Sequence, residues 1–193
     1  MLRRVIVVIA GSNRPGSRTL QVAREAVRHL GAEAPDLPVH LVNLEAMPLD
    51  LFVPASYKNP PAAFLPHQAA ILGAQGVLTI VPEYNGSYPG ALKYFIDLLK
   101  FPDSLRGVPC SFVGLAAGEW GGLRAVEQLE MVFKYRSALL YGQSLYVREV
   151  HRNLSPEGRL SAPLDERLCT LVRGFVSFAR QVRPGQVAGR AAT

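Results

Sequence analysis

One junction constrains this chain more than any other. The apolar run Val5-Ile6-Val7-Val8-Ile9-Ala10 breaks directly into Gly11-Ser12-Asn13-Arg14-Pro15-Gly16-Ser17-Arg18-Thr19. Leu20, Ala23, Val27 and Leu30 then recur at spacings of three and four. A run without polar alternation is a strand covered on both faces, and the later recurrence is one face of a helix. The helix is expected to stop near Gly31. A buried strand that feeds an amphipathic helix needs a parallel neighbour and a layer of helices to cover it.

The rest of the chain repeats the pattern. Further strands are predicted over Pro38–Asn43, Gly76–Val81, Val108–Leu115 and Ala138–Val147, the second nearer an edge because its residues alternate. Helices are predicted over Ala62–Leu72, from Pro89 with Leu92, Phe95, Ile96 and Leu99 as its buried face, over Gly121–Tyr135, and from Pro163 to about Val182. Leu44 to Pro61 is rich in proline and lacks a period, so it reads as a long surface loop able to overhang a site. Five strands separated by helices give an α/β fold, a doubly wound parallel sheet with helices on both faces and right-handed crossovers. Residues 1–182 form one domain, and the Gly-, Ala- and Arg-rich tail 183–193 is expected to fray. Ligands of such sheets sit beyond the carboxyl ends of the strands. That directs attention to three loops, Gly11–Thr19, Pro82–Pro89 and Ala116–Gly122.

Composition narrows the function classes. The net charge of +6 suggests an anionic ligand, but Lys and Arg are scattered and no nucleic-acid motif accompanies them. A phosphorylated small molecule accounts for the excess, and no nucleic-acid partner is expected. The first apolar run is too short for a signal peptide and nothing approaches the ~20 residues of a membrane span, so a soluble protein without a membrane partner is expected. Cys110 and Cys169 show no CxxC or Cys/His spacing, read as small buried apolar residues, and fit a reducing cytoplasm. His29, His40, His67 and His151 are scattered and read as surface or filler. No His/Asp/Ser or Cys/His constellation and no metal set is expected.

The loop after the first strand carries the clearest chemistry. Backbone N–H groups at a helix N-terminus, flanked by small hydroxyl residues, bind a phosphate dianion without a metal. Arg14 and Arg18 lie where the helix dipole is already positive, each unfavourable by ~0.3–1 kcal/mol unless an anion lies between them. The plainer alternative is that Ser17 and Thr19 are only helix caps. The spacing fails G-x-G-x-x-G at its second glycine, and Gly16-Ser17-Arg18 lacks the lysine of a P-loop. A terminal monophosphate, such as that of FMN, remains.

Paired with a second motif, the loop becomes specific. Gly11-Ser12-x-Arg14-x-Gly16-Ser17, followed by Pro82-Glu83-Tyr84-Asn85, Pro89-Gly90-x-Leu92-Lys93 and Ile96-Asp97, resembles the NADPH-dependent FMN reductase family, with quinone, azo-dye and chromate reductases among its members. The resemblance spans roughly residues 3–180. It implies a flavodoxin-like sheet of strand order 2-1-3-4-5, with Ser12, Arg14, Ser17 and Thr19, assisted by Arg18, on the FMN phosphate. Pro82, Glu83, Tyr84 and Asn85 would line the isoalloxazine and ribityl chain, and the main chain at Ala116 and Gly118 would border the flavin. Two positions depart from the family's usual asparagines, Thr19 and Tyr94. The third loop also lacks the customary serine.

Several residues keep two readings. Tyr84 and Tyr88 could cover a ring face or pack as interface aromatics, and Glu83 could act as an acid or merely cap the next helix. Trp120 could wall a substrate pocket or sit at an interface, and Arg124 could attract NADPH phosphates or be solvated. The implied reaction is a two-step exchange. NADPH or NADH gives hydride to the flavin, and a small acceptor such as a quinone, azo compound, free flavin or metal oxyanion takes it, with no side-chain nucleophile required. The rivals are a flavodoxin-type electron carrier, against which the positive charge argues, and a flavin-binding regulatory module. Family members are generally homodimers or homotetramers, for which Met131, Tyr135, Tyr141 and Tyr146 are candidate contacts.

Overall fold

Every second residue of the first strand faces a different helical layer, and this division organises the molecule. In the computed structural model, which describes residues 4–183, β1 (Val5–Ala10) turns Ile6 and Val8 to one face and Val7 and Ile9 to the other, all at most 1% exposed. The other strands are β2 (Val39–Asn43), β3 (Ala74–Pro82), β4 (Pro109–Leu115) and β5 (Leu139–Val147). All pair in parallel in the order β2-β1-β3-β4-β5. This is the flavodoxin-like order, with β2 at an edge as its alternation implied. All residues of β3, at the centre, are buried, whereas β5 begins exposed at the far edge.

One face is covered by α1 (Arg18–Glu33) and α6 (Ala162–Val182), which bring Leu20, Val22, Leu30, Leu168 and Phe175 onto Ile6, Val8, Leu78 and Ile80. The other is covered by α2 (Leu65–Leu72), α3 (Gly90–Leu98) and α4 (Leu123–Tyr135), carrying Ile71, Phe95 and Phe133 onto Val7, Val77 and Phe112. Phe64, Phe95, Phe112, Phe133 and Phe175 are fully buried, each contributing roughly 1.5–3 kcal/mol of hydrophobic stabilisation.

Several local expectations are revised. Leu44–Pro61 is not a loose overhang but a string of short 3-10 turns whose Leu44, Met47 and Leu51 are buried in the second core. Such turns hold apolar residues without a 3.6 period, so no periodicity announced them. Helix α1 runs through Gly31 to Glu33, and its end is capped by the Ala34 N–H donating to the Leu30 carbonyl. Pro89 precedes α3 as its N-cap rather than opening its first turn. Cys110 is fully buried and its thiol pushed up by desolvation, but Cys169 is only half-buried and hydrogen-bonds Glu33 at 3.5 Å.

His151 is exposed, as expected, but the other three histidines are not filler. His29 lies 2.8 Å from the Asp165 carboxylate, and His40 Nε2 lies 2.8 Å from His67 Nδ1. Burial lowers the pKa of both His40 and His67. The first and last described residues are tied together at the amino ends of β1 and β3. Arg4 donates to Gln75 and to the Arg183 carbonyl at 2.8 and 2.6 Å, and Gln75 donates to the carbonyls of Ala179 and Arg183. Arg183, expected to begin the frayed tail, is therefore anchored; residues 184–193 of that tail lie outside the described residues.

Candidate functional site

From β1 the sheet grows in both directions, to β2 on one side and β3 on the other, so the loops leaving β1 and β3 diverge. A cleft of about 720 Å3 opens there. Arg14–Thr19 form one wall, Pro82–Tyr84 and Leu115–Ala117 the floor, and the segment around Val150–Pro156 the opposite wall.

Glycine shapes the first loop at two points. The Gly11 N–H donates to the Ile80 carbonyl at 2.9 Å, and a Cβ there would meet that oxygen and Leu92 at 2.9 Å. Gly16 adopts φ 62°, a left-handed turn that aims the chain into α1. Ser17 is the N-cap, its Oγ accepting from the Leu20 N–H at 3.3 Å. The first-turn N–H groups of Arg18 and Thr19 have no intrahelical acceptor. Arg14 and Arg18 are exposed and, among the described residues, have no carboxylate within ion-pair distance. The loop already attracts one anion, since the Gly16 N–H donates to the Glu45 carboxylate at 3.3 Å.

Ser12 sits elsewhere than its motif suggests. It is fully buried, accepts from the Arg14 N–H at 3.2 Å, and its Oγ is 2.7 Å from the Tyr84 hydroxyl. The Arg14 guanidinium lies 5.4 Å from the centre of the Tyr84 ring. Ser12 thus joins the loop after β1 to the loop after β3 and does not line the cleft.

The second loop is a tight hairpin. Tyr84 and Ser87 exchange backbone hydrogen bonds of 2.8 and 3.1 Å around Asn85 at φ 52° and Gly86 at φ 77°. Two successive left-handed residues form a type I′ turn, for which Asn-Gly is the preferred pair. Asn85 is exposed at its tip, outside the cleft lining. Gln128 of α4 pins the hairpin, accepting from the Ser87 hydroxyl at 2.6 Å and donating to the Gly86 carbonyl at 2.9 Å. One carboxylate oxygen of Glu83 is buried and has no partner among the described residues. Such a group carries a desolvation cost of about 1–3 kcal/mol that a donor in the cleft would relieve.

In the third loop Ala116 and Ala117 face the cleft. Gly118 is exposed outside it, its carbonyl accepting from the N–H groups of Gly121 and Glu149. Trp120 projects beyond the loop, 67% exposed, and Arg124 is an exposed residue of the first turn of α4.

The structure therefore gathers Arg14, Ser17, Arg18, Thr19, Pro82, Glu83, Tyr84 and Ala116 on one cleft and places Ser12, Asn85 and Gly118 behind or beside it. The far wall escaped the sequence reading. It comprises α5 (Val150–Asn153), with His151, and the turn carrying Ser155 and Pro156. A four-residue helix has no detectable period, although Ser155-Pro156-Glu157-Gly158 is a turn signature. The wall is tied to α1 by Arg159, which donates to Glu25 at 2.8 Å.

The profile of the family described as NADPH-dependent FMN reductase matches residues 5–152. An NADH-dependent FMN reductase of Pseudomonas putida is 31% identical over 141 residues, 73% of this chain and 75% of that protein. A 2-hydroxy-1,4-benzoquinone reductase of Burkholderia sp. is 27% identical, covering 92% of this chain and 97% of its own length. Among solved structures, the flavoenzyme NAD(P)H:(acceptor) oxidoreductase FerB of Paracoccus denitrificans superposes with a TM-score of 0.77 at 22% identity, over 92% of this chain and 98% of that one. That likeness bears on the fold.

Proposed function

The chain belongs to the NADPH-dependent FMN reductase family, and we propose that it passes reducing equivalents from NADH or NADPH through FMN to a small acceptor such as a quinone. As a member of that family it is an oxidoreductase with FMN as cofactor and NAD(P)H as donor. The carrying observation is the cleft itself, which sets the dianion-seeking loop beside a floor of Pro82, Tyr84, Leu115 and Ala116 that also carries the unpartnered Glu83 oxygen.

The residues present fit this cofactor. Arg14, Ser17, Arg18 and Thr19 would hold the phosphate, because first-turn N–H groups and two arginines without carboxylate partners lack only an anion. Pro82, Glu83, Tyr84 and Ala116 would hold the ribityl chain and ring. The Glu83 oxygen would take a hydroxyl or N–H donor from the cofactor. Ser12 would act through Tyr84, and Asn85 and Gly118 would shape their loops. FMN, when bound, supplies the hydride chemistry. The protein positions it, and Leu115, Ala116, Leu154 and Pro156 limit water on the floor and far wall.

Assembly belongs to the same proposal. Phe101, Met131 and Tyr135 are 62%, 63% and 78% exposed, with Phe101 and Tyr135 stacked at 6.3 Å, on the α3–α4 side of the sheet. This apolar surface is suited to a second copy of the chain.

The visible spectrum of the purified protein tests the reading. Flavin bands that bleach on anaerobic addition of NADPH, and return with a quinone, are expected. A colourless protein that takes up no added FMN would overturn it.

A further inference from the structure

A second groove, of about 810 Å3, lies on the opposite side of the β4–α4 loop from the cleft. Ala116 and Ala117 face the cleft, while Glu119 and Trp120 face the groove. Between the two runs a narrow backbone ridge in which Glu149 and Val150 donate to the carbonyls of Gly118 and Ala116 at 3.1 and 3.0 Å. The cleft and the groove thus share the β4–α4 loop as a common wall.

The groove presents one exposed aromatic ring on a fixed mount. Gly121 and Gly122, at φ 58° and 87°, follow Trp120, and a Cβ on either would meet backbone nitrogen at 2.8 or 2.6 Å. The corner thus accepts no side chain, and Trp120 projects into solvent with 67% of its surface exposed. Exposing an indole from a rigid loop forfeits apolar burial unless something flat covers it.

The charges around it are unevenly engaged. Glu149 is paired with Arg152 at 2.6 Å. Asn153 donates to the Arg148 carbonyl, and the Ser161 hydroxyl donates to Asn153, so these polar groups are committed to holding the rim. Arg148 and Arg167 line the groove, are exposed, and have no carboxylate within ion-pair distance among the described residues. Glu119 is the remaining acid. An exposed indole with two uncommitted guanidinium groups matches an aromatic base bearing phosphates.

We propose that this groove holds the adenosine phosphate end of the nicotinamide dinucleotide, with Trp120 stacked on the adenine and Arg148 and Arg167 meeting the phosphates. The inference rests on the reductase reading, which requires the nicotinamide end to reach the cleft across the ridge. It also explains the missing dinucleotide fingerprint after β1, since the donor's phosphates are met here by side chains and not by a glycine-rich turn.

Trp120 is the sole tryptophan of the chain, so its emission reports on the groove directly. The flavin-loaded protein is titrated with NADP+, adenosine 2′,5′-bisphosphate and nicotinamide mononucleotide, with correction for absorbance. Saturable quenching by the first two and none by the third is expected. In turnover, Trp120→Ala and Arg167→Ala should each lower kcat/KM for NADPH about tenfold relative to kcat/KM for reduced nicotinamide mononucleotide, which lacks the adenosine end. Trp120→Phe should restore most of the loss, which separates stacking from loop damage. A loaded, active enzyme whose emission ignores the adenosine compounds, and whose two variants treat both donors alike, overturns the inference while leaving the reductase reading intact. Quenching in a protein that takes up no FMN would leave the groove as an adenosine phosphate site and overturn the reductase reading instead.

Discussion

Arginine appears at opposite poles of two helices, and its surroundings differ in an instructive way. Arg14 and Arg18 lie at the N-terminal pole of α1, exposed, without carboxylate partners among the described residues, where the helix dipole opposes their charge. Arg136 is 7% exposed at the C-terminal pole of α3, where the dipole favours it. It donates to the carbonyls of Ile96, Leu99 and Lys100 and to Ser104 at 2.7–3.2 Å, with the Phe101 ring 5.2 Å away. Burial lowers its pKa, but the guanidinium keeps its charge because four acceptors surround it. The pair at the unfavourable pole has no carboxylate partner among the described residues, while the one at the favourable pole is already engaged. On the proposed function, arginine serves the cofactor phosphate in the first place and the architecture in the second.

The largest effect expected from this contrast falls on architecture. Arg136→Met should destabilise the fold by about 3 kcal/mol, because several buried carbonyls and Ser104 lose a charged donor. In a domain of this size that lowers Tm by about 10 °C. FMN affinity of the fraction still folded should not change, and a matching loss of affinity would erase the distinction. Next in size, Arg14→Ala and Arg18→Ala should each weaken FMN binding about tenfold in a fluorescence titration, equal to ~1.4 kcal/mol. Riboflavin, which lacks the phosphate, should bind as before. The flavin-free variants should melt no lower than the parent, since a charge opposed by the dipole has been removed.

A third substitution probes how the functional loop is held. Ser12→Ala should weaken FMN and riboflavin by the same factor of about three to ten, the strength of one hydrogen bond. Once Tyr84→Phe is in place it should add little, a non-additivity expected of residues in contact. A loss confined to FMN would instead make Ser12 a phosphate ligand. The smallest change is expected at Glu45, whose carboxylate occupies a loop N–H. Glu45→Gln should tighten FMN binding by a factor of about two to three, and more at low salt, because an exposed like charge beside the phosphate is removed.

Much of this was readable in the residues. Strands covered on both faces gave uninterrupted apolar runs, and the long helices gave clean three- and four-residue recurrences, so sheet and layers followed directly. The loop after β1 was readable because small hydroxyl residues and uncompensated cations at a helix start have few structural uses. Where contacts replaced periodicity, the reading stopped. The 3-10 string from Leu44 packs single apolar residues at irregular intervals. The wall at Val150–Pro156 depends on a distant tie, Arg159 to Glu25. Ser12 belongs to a recognised motif, yet only the tertiary position of Tyr84 turns it inward. His40 and His67 are separated in sequence and meet because β2 and α2 adjoin. Asn85-Gly86 was the preferred pair for a hairpin turn, but its place in a motif drew attention to ligand contact.

The clasp of Arg4, Gln75 and Arg183 lies at the amino ends of β1 and β3, whereas the cleft lies at their carboxyl ends. Arg4 and Arg183, the outermost described residues, are thus neighbours at the pole opposite the cleft. A circular permutant that joins Arg4 to Arg183 by a short peptide in place of the residues outside them, and opens new termini in an exposed surface turn, should preserve the cleft. By the same geometry, a tether attached at Arg4 or Arg183 would present the cleft outward from a solid support.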